Sequence, residues 1–347
     1  MDRIHSRRAR RRRRNWNRAR RRTRTGKRTP SRNRSSVANG RLPVESSFAP
    51  SADPLEEDIA IPGKAAGCNY DEGYRQGYYE GGEAKVERQL PPYTLLPDLT
   101  IDDVIALGIQ QVTASLVPVM SPTAVCAAVI RALEQRQPLS VIRLGDGEVL
   151  TLAHDMIISV EEAKLLGPFL PYAGVTLPDT AARRSLAESI RQANIVGIPV
   201  SRHPSFQGLL FPALNQHGIS HRMLRITFST VNYALHEQGL LYRMLSGRQL
   251  LLIGNKAAGL ADVLGSRGLE VTGIITPVKG VHDVQRIIEQ AASIEFDLAL
   301  VAAGVAAVMI CTAIAQELGK VSFDIGHLAD LLVSGGTFLL PGVEVNG

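Results

Sequence analysis

The chain has 347 residues, enough for two domains or for one large domain with extensions. Its apolar share of 45% is ordinary for a soluble protein, and aromatics at 5% leave aliphatic side chains to fill any core. The net charge of +6 is segregated: residues 1–34 hold 16 Arg, one Lys and one Asp, a net of +16, so residues 35–347 carry −10. Cys68, Cys126 and Cys311 are far apart and odd in number, which excludes a disulfide framework and any zinc-ligand spacing and points to a reducing, cytoplasmic setting.

Residues 1–45 read as a disordered arginine-rich tail, because nothing apolar offsets the entropy of ordering it. No apolar run follows the basic start, so no secretory signal is expected. Residues 1–34 suit contact with a polyanion, either nucleic acid or an anionic lipid surface, by salt-dependent attraction. Trp16 is the tail's one aromatic residue, too few for a base-stacking platform. Residues 46–100 are rich in Pro, Gly and acids and read as a linker or docking segment. Gly73, Gly77 and Gly81 recur every fourth residue there, yet so many glycines disfavour an isolated helix.

From Ile101 to residue 347 strand and helix signals alternate. Ser121-Pro122 opens a helix, with Val125, Val129 and Leu133 on one face. Val141–Leu144 is a short strand, and Ser159-Val160-Glu161-Glu162 is a capping box. Ile195–Val200 and Met223–Phe228 read as strands, each preceded by a helix. Gln249–Ile253 is a strand buried on both faces. Helix 256–267, strand 269–275, helix 282–293, strand 297–302, helix 305–318 and strand 320–324 follow. Leu298–Ala315 lacks charge over about 18 residues, near the membrane-spanning minimum. Gly304 divides it into strand and helix, so no transmembrane segment is expected. The rhythm predicts an α/β, Rossmann-like, mostly parallel sheet with helices on both faces. Ligands of such sheets bind beyond the strands' C-terminal ends.

The first strand ends in Arg143-Leu144-Gly145-Asp146-Gly147-Glu148. Two carboxylates two residues apart could hold a divalent cation that offsets a diphosphate, with Gly145 beside the phosphates and Arg143 either neutralising phosphate or orienting a carboxylate. A plain Gly-Asp-Gly turn is the competing explanation. Arg-x-Gly-Asp-Gly-Glu after a short strand resembles the signature of the GT-D glycosyltransferases, which carry an Asp-x-Glu motif on a Rossmann-like fold. Leu251-Leu252-Ile253-Gly254-Asn255 is similar to that family's central strand and turn. Gly319 to His327, ending Asp324-Ile325-Gly326-His327, is similar to its closing strand and turn. The resemblance covers roughly residues 138–330. It implies a hexosyl-type transfer from a UDP-sugar, Mn²⁺ or Mg²⁺ at Asp146 and Glu148, and a protein-linked glycan, glycoprotein or other hydroxyl acceptor.

Further candidates lie at other strand ends. Gly254, Asn255 and Lys256 precede a helix and suit either a phosphate or a plain tight turn. Gly304 admits close backbone approach, by a nucleotide or by a packed helix. Asp324 lies at a strand end, and His327 could ligate metal, contact phosphate or hold a sugar hydroxyl. Asn232 and Tyr233, behind a cap at Ser229 or Thr230, could bond sugar hydroxyls. His154 and Asp155 are candidate general bases for an inverting reaction. A non-catalytic α/β body with a polyanion-binding tail is the alternative function.

Overall fold

The structure is a computed structural model and describes residues 70–340. The arginine tail and residues 46–69 of the expected linker lie outside the described residues. Among the described residues, those up to Arg88 and those from Gln89 form two compact units. In the first, Tyr70–Tyr78 is α-helical, Tyr79–Glu83 is π-helical and Ala84–Glu87 is α-helical again. The expectation that glycine would disfavour a helix here is corrected. The π-turn falls on Gly81-Gly82, where backbone adjustment is easiest, and Gln76 Nε2 bonds Glu80 Oε1 one turn on at 2.9 Å.

The second unit is built on seven strands: β1 (Leu139–Arg143), β2 (Ile195–Ile198), β3 (Ile226–Phe228), β4 (Gln249–Gly254), β5 (Glu270–Ile275), β6 (Leu298–Ala302) and β7 (Val321–Asp324). Their order is β3-β2-β1-β7-β6-β4-β5, and every pair is parallel. The predicted strands are all present, with two shortened. β2 stops at Ile198 because Pro199 has no N–H for the ladder. β3 starts at Ile226 because His221–Met223 forms a 3₁₀ turn.

Strand side chains alternate between two cores. Ile142, Val196, Leu251 and Val301 face one core, with helices Asp146–Ala153, Thr180–Gln192, Gln207–Gln216, Val284–Ala291 and Ala306–Leu318. Val141, Ile195, Leu252 and Leu300 face the other, with helices Pro122–Glu134, Val231–Glu237, Ala257–Gly265 and Leu328–Ser334. Local chemistry sets the helix starts: Ser121 Oγ accepts from Ala124 N–H at 3.2 Å with Pro122 in the first turn. Ser159 Oγ accepts from Glu162 N–H at 3.0 Å, one half of the expected box. Thr230 occupies a cap position, but neither its hydroxyl nor that of Ser229 caps the helix Val231–Glu237.

Leu298–Ala315 is β6 followed by helix, and among the described residues no helix is long and apolar enough to cross a membrane. The helix after β1 lies on one face of the sheet and the helix after β7 on the other. The chain therefore leaves these two neighbouring strands in opposite directions. The C-terminal ends of two neighbouring strands whose chains part in this way are where such folds place ligands.

Candidate active site

Arg143 is the last residue of β1, and its guanidinium is fully engaged. Nε donates to the Asp324 carbonyl at 2.9 Å, Nη2 to Asp324 Oδ1 at 3.0 Å, and Nη1 to the Ser229 carbonyl at 3.1 Å. One side chain thus ties β1 to β7 and to the turn after β3. Gly326 makes room for it: a Cβ there would sit 1.6 Å from Nη2, and φ of +52° disfavours any other residue.

The helix after β1 starts at once. Gly145 is its N-cap, and its N–H donates to Glu148 Oε2 at 2.7 Å. Asp146 Oδ1 accepts from Gly147 N–H at 2.8 Å. A first-turn carboxylate that reaches back to the cap N–H is half of a capping box, so part of this geometry is structural. Glu148 is nevertheless 9% exposed. Burial pushes its carboxyl up to about 7, the negative charges of Asp324 and Asp146 push the same way, and the Gly145 N–H opposes them.

Asp324, 4% exposed, is also raised, mainly by burial, although Arg143 pulls it down by charge and hydrogen bond. Desolvation outweighs the ion pair there. Beside them, Asn232 is fully buried; Nδ2 donates to the Ile325 carbonyl at 2.8 Å, and its Oδ1 has no partner. Burial raises the Tyr233 phenol, with Arg143 opposing and Asp330 and Asp324 adding.

A glycine turn with two carboxylates after the first strand, a closing Asp on the adjacent strand and the crevice between them agree with a match of the GT-D fold-like domain over residues 120–332. The chain belongs to the GT-D-like family. Two solved structures are similar to it. One is a selenomethionine-substituted structure of domain of unknown function 1792, 15% identical with a TM-score of 0.44. The other presents that highly conserved domain as having a distinct glycosyltransferase fold, 17% identical with a TM-score of 0.39. Each covers 65% of this chain and 84% of the solved chain. No curated protein matches.

Within the GT-D-like domain, the fold gathers Arg143, Gly145, Asp146, Glu148, Asn232 and Asp324 around the β1–β7 crevice, with His327 exposed at the turn after β7. Gly304 stays close as well, since the next residue, Val305, packs on Gly147; His154, Asp155, Asn255 and Lys256 have their contacts elsewhere. Each guanidinium nitrogen of Arg143 donates to a protein oxygen, one of them on the Asp324 carboxylate, so of its two expected roles the structure shows the one toward a carboxylate. The Gly145 N–H, assigned to the donor, is taken by Glu148. The described residues contain no cluster of three or more His, Cys, Asp or Glu placed to hold a metal, so His327 joins no three-side-chain set with Asp146 and Glu148.

His154 lies at the far end of the helix Asp146–Ala153 and is fully buried. Its Nδ1 bonds the Thr151 carbonyl at 2.7 Å, so it carries the proton, and Nε2 accepts from Asp179 N–H at 3.2 Å. Burial pushes its pKa down. With both nitrogens occupied it is a structural histidine, not a base. Asp155, exposed at φ +56°, turns the chain just beyond it.

Gly254, Asn255 and Lys256 follow β4, three strands from β1, or roughly 14 Å along the edge. Asn255 exchanges two bonds with Val278, accepting its N–H at 2.8 Å and donating to its carbonyl at 3.2 Å. That is a clamp between two turns. The turn is tight because Gly254 presses on the β6 backbone: a Cβ would meet the Ala302 carbonyl at 2.2 Å. Gly304 is closed by the protein itself, since a Cβ there would lie 2.6 Å from the Ala173 carbonyl, which also accepts Val305 N–H. The close approach foreseen at Gly304 is made by a loop, not by a nucleotide. Sequence reasoning missed that loop and missed the Ser229 carbonyl as an arginine acceptor. Neither a backbone carbonyl nor residue Ala173 carries a sequence signal for such a role.

Proposed function

We propose that the chain is a hexosyl-type glycosyltransferase that moves a sugar from a nucleotide diphosphate donor, a UDP-sugar, to a hydroxyl of a glycan or glycoprotein, with Mn²⁺ or Mg²⁺ held by Asp146 and Glu148. The observation that carries this is the buried Glu148 carboxyl in the crevice of a GT-D-like domain. Asp146, Glu148 and Asp324 interact there against the one guanidinium of Arg143, which is already engaged. The carboxylates are short of positive charge, and their hard oxygens suit a divalent ion whose coordination is completed by donor phosphate and water. When bound, the ion would stabilise charge on the departing diphosphate.

The chain's own residues have separable tasks. Gly145 fixes one oxygen of Glu148 through its N–H. Arg143 occupies Asp324, so that carboxylate serves as a strut between β1 and β7. Asn232 holds the turn after β7 by its bond to Ile325, and this sets the position of exposed His327. His327 then meets a phosphate or a sugar hydroxyl. In transfer, the bond from the anomeric carbon to the diphosphate breaks and one to the acceptor oxygen forms. A cytoplasmic place suits this donor and the free thiols Cys126 and Cys311.

Thermal shift of the full chain against a panel of nucleotide sugars, with and without Mn²⁺, tests the proposal together with release of the nucleotide diphosphate. UDP-sugars should stabilise the protein only with the metal. Full UDP release by Asp146→Asn, or no response to any sugar nucleotide, would overturn it.

A further inference from the structure

The C-terminal edge of the sheet is closed on one side of β1 and β7 and open on the other. On the β6–β4–β5 side the protein fills its own edge. Gly304, after β6, is covered by the Ala173 carbonyl, and Gly254, at the end of β4, is pressed on the Ala302 carbonyl. Asn255 is clamped to Val278, and the loops that carry Ala173 and Val278 meet backbone to backbone at Gly174 and Gly280. On the β2–β3 side the strands lead into exposed apolar side chains. Phe228, the last residue of β3, is 44% exposed although Ile226 and Thr227 before it are buried. Val200, two residues past the end of β2, is 52% exposed.

The position of Phe228 is fixed relative to the carboxylates. Its neighbour Ser229 donates its N–H to the Ile198 carbonyl at 2.8 Å, and the Ser229 carbonyl accepts from Arg143 Nη1 at 3.1 Å. Gly197 lets this turn lie low over β2: a Cβ there would meet Ser229 Cα at 3.0 Å and Arg143 Cγ at 3.2 Å. The side chain that binds Asp324 therefore also holds the turn on which Phe228 stands.

We infer that Phe228 is the stacking platform for the nucleobase of the donor, a step that rests on the sugar-nucleotide reading above. With the β6–β4–β5 side closed, a donor whose diphosphate lies at Asp146 and Glu148 has its nucleoside on the β2–β3 side. β3 is two strands from β1, about 10 Å along the edge, so the ribose crosses the end of β2 and the base reaches β3. Every base has a face that stacks on an aromatic ring, so Phe228 supplies affinity for a nucleoside and not the choice of base. A protein partner fits less well, because two exposed side chains fall far short of the ~800 Å² per partner of a standard interface.

Titration calorimetry of the full chain in Mn²⁺ tests this with two probes, UDP and inorganic pyrophosphate. Phe228→Ala should weaken UDP about tenfold, as loss of one stacked ring does, and leave pyrophosphate unchanged. Phe228→Tyr, which keeps a ring, should keep the wild-type affinity for UDP. If Phe228→Ala binds UDP as wild type does, the inference falls and the sugar-nucleotide reading stands. If UDP and pyrophosphate weaken together in Phe228→Ala, the ring only supports the fold, and the inference falls as well. A wild type that binds neither probe removes the sugar-nucleotide reading and the inference with it.

Discussion

The turn after β1 and the turn after β4 look alike in one dimension. Each follows a buried strand, contains glycine, opens a helix and offers polar side chains to the same edge of the sheet. In three dimensions they differ in what remains unsettled. At β4, Asn255 has both its amide groups matched by Val278, and the glycine is pressed on a neighbouring strand. At β1, Arg143 pairs with Asp324, and Glu148 stays buried beside two other acids. Glycine turns are common scaffolding, whereas a buried charge that the protein does not neutralise is expensive and calls for an outside partner.

The sharpest way to break this contrast is by substitution at the two turns. Asp146→Asn and Glu148→Gln should each lower metal-dependent UDP release by about 10²–10³-fold, the range seen when one preorganised electrostatic contact is removed. Arg143→Met strands the Asp324 carboxylate and should cost about 3–5 kcal/mol in denaturant unfolding. Pairing it with Asp324→Asn should restore part of that loss. If Arg143→Met instead spares stability and weakens only donor binding, the strut role fails and the phosphate role returns.

Protonation sharpens the picture from another side. The Glu148 carboxyl binds its proton more tightly folded, at about 7, than unfolded, near 4.5. Its contribution to stability is therefore full below about 4.5 and is lost as pH rises through about 7, roughly 3 kcal/mol over the window. Unfolding of the metal-stripped protein at several pH values should show this decline, and Glu148→Gln should flatten it. Added Mn²⁺ should also flatten it, by making the ionised form welcome. At β4 the expected effects are smaller. Asn255→Ala should cost about 1–2 kcal/mol, and Lys256→Ala should leave UDP release within about threefold of wild type, as suits a surface charge away from the crevice.

Much of the fold was legible from hydrophobic period alone. Gln249–Ile253 and Leu298–Val301 are runs too apolar for anything but doubly covered strands. Strand order was not legible. Arg143 and Asp324 stand 181 residues apart, and nothing local says that β7 slots in beside β1. For the same reason Arg143 stood open to phosphate and to a carboxylate alike: an arginine near carboxylates reads identically whether its donors are free or consumed. Gly73, Gly77 and Gly81 misled in the opposite direction, because propensity counts glycines without weighing the π-turn that takes up Gly81 and Gly82. Asp146 and Glu148 stood out as a pair because their spacing is local. His154 was misjudged because the groups that occupy its ring, Thr151 and Asp179, include one 25 residues away.

The slot filled by β7 has a consequence for how the protein comes into being. The strand at the centre of the sheet is the last of the seven to leave the ribosome. Until it arrives, β1 and β6 each present a bare edge to the other, and nascent protein must hold two half-sheets apart without letting them pair wrongly. Because Asp324 travels on that strand, its pairing with Arg143 and the closure of the sheet are completed in one late event.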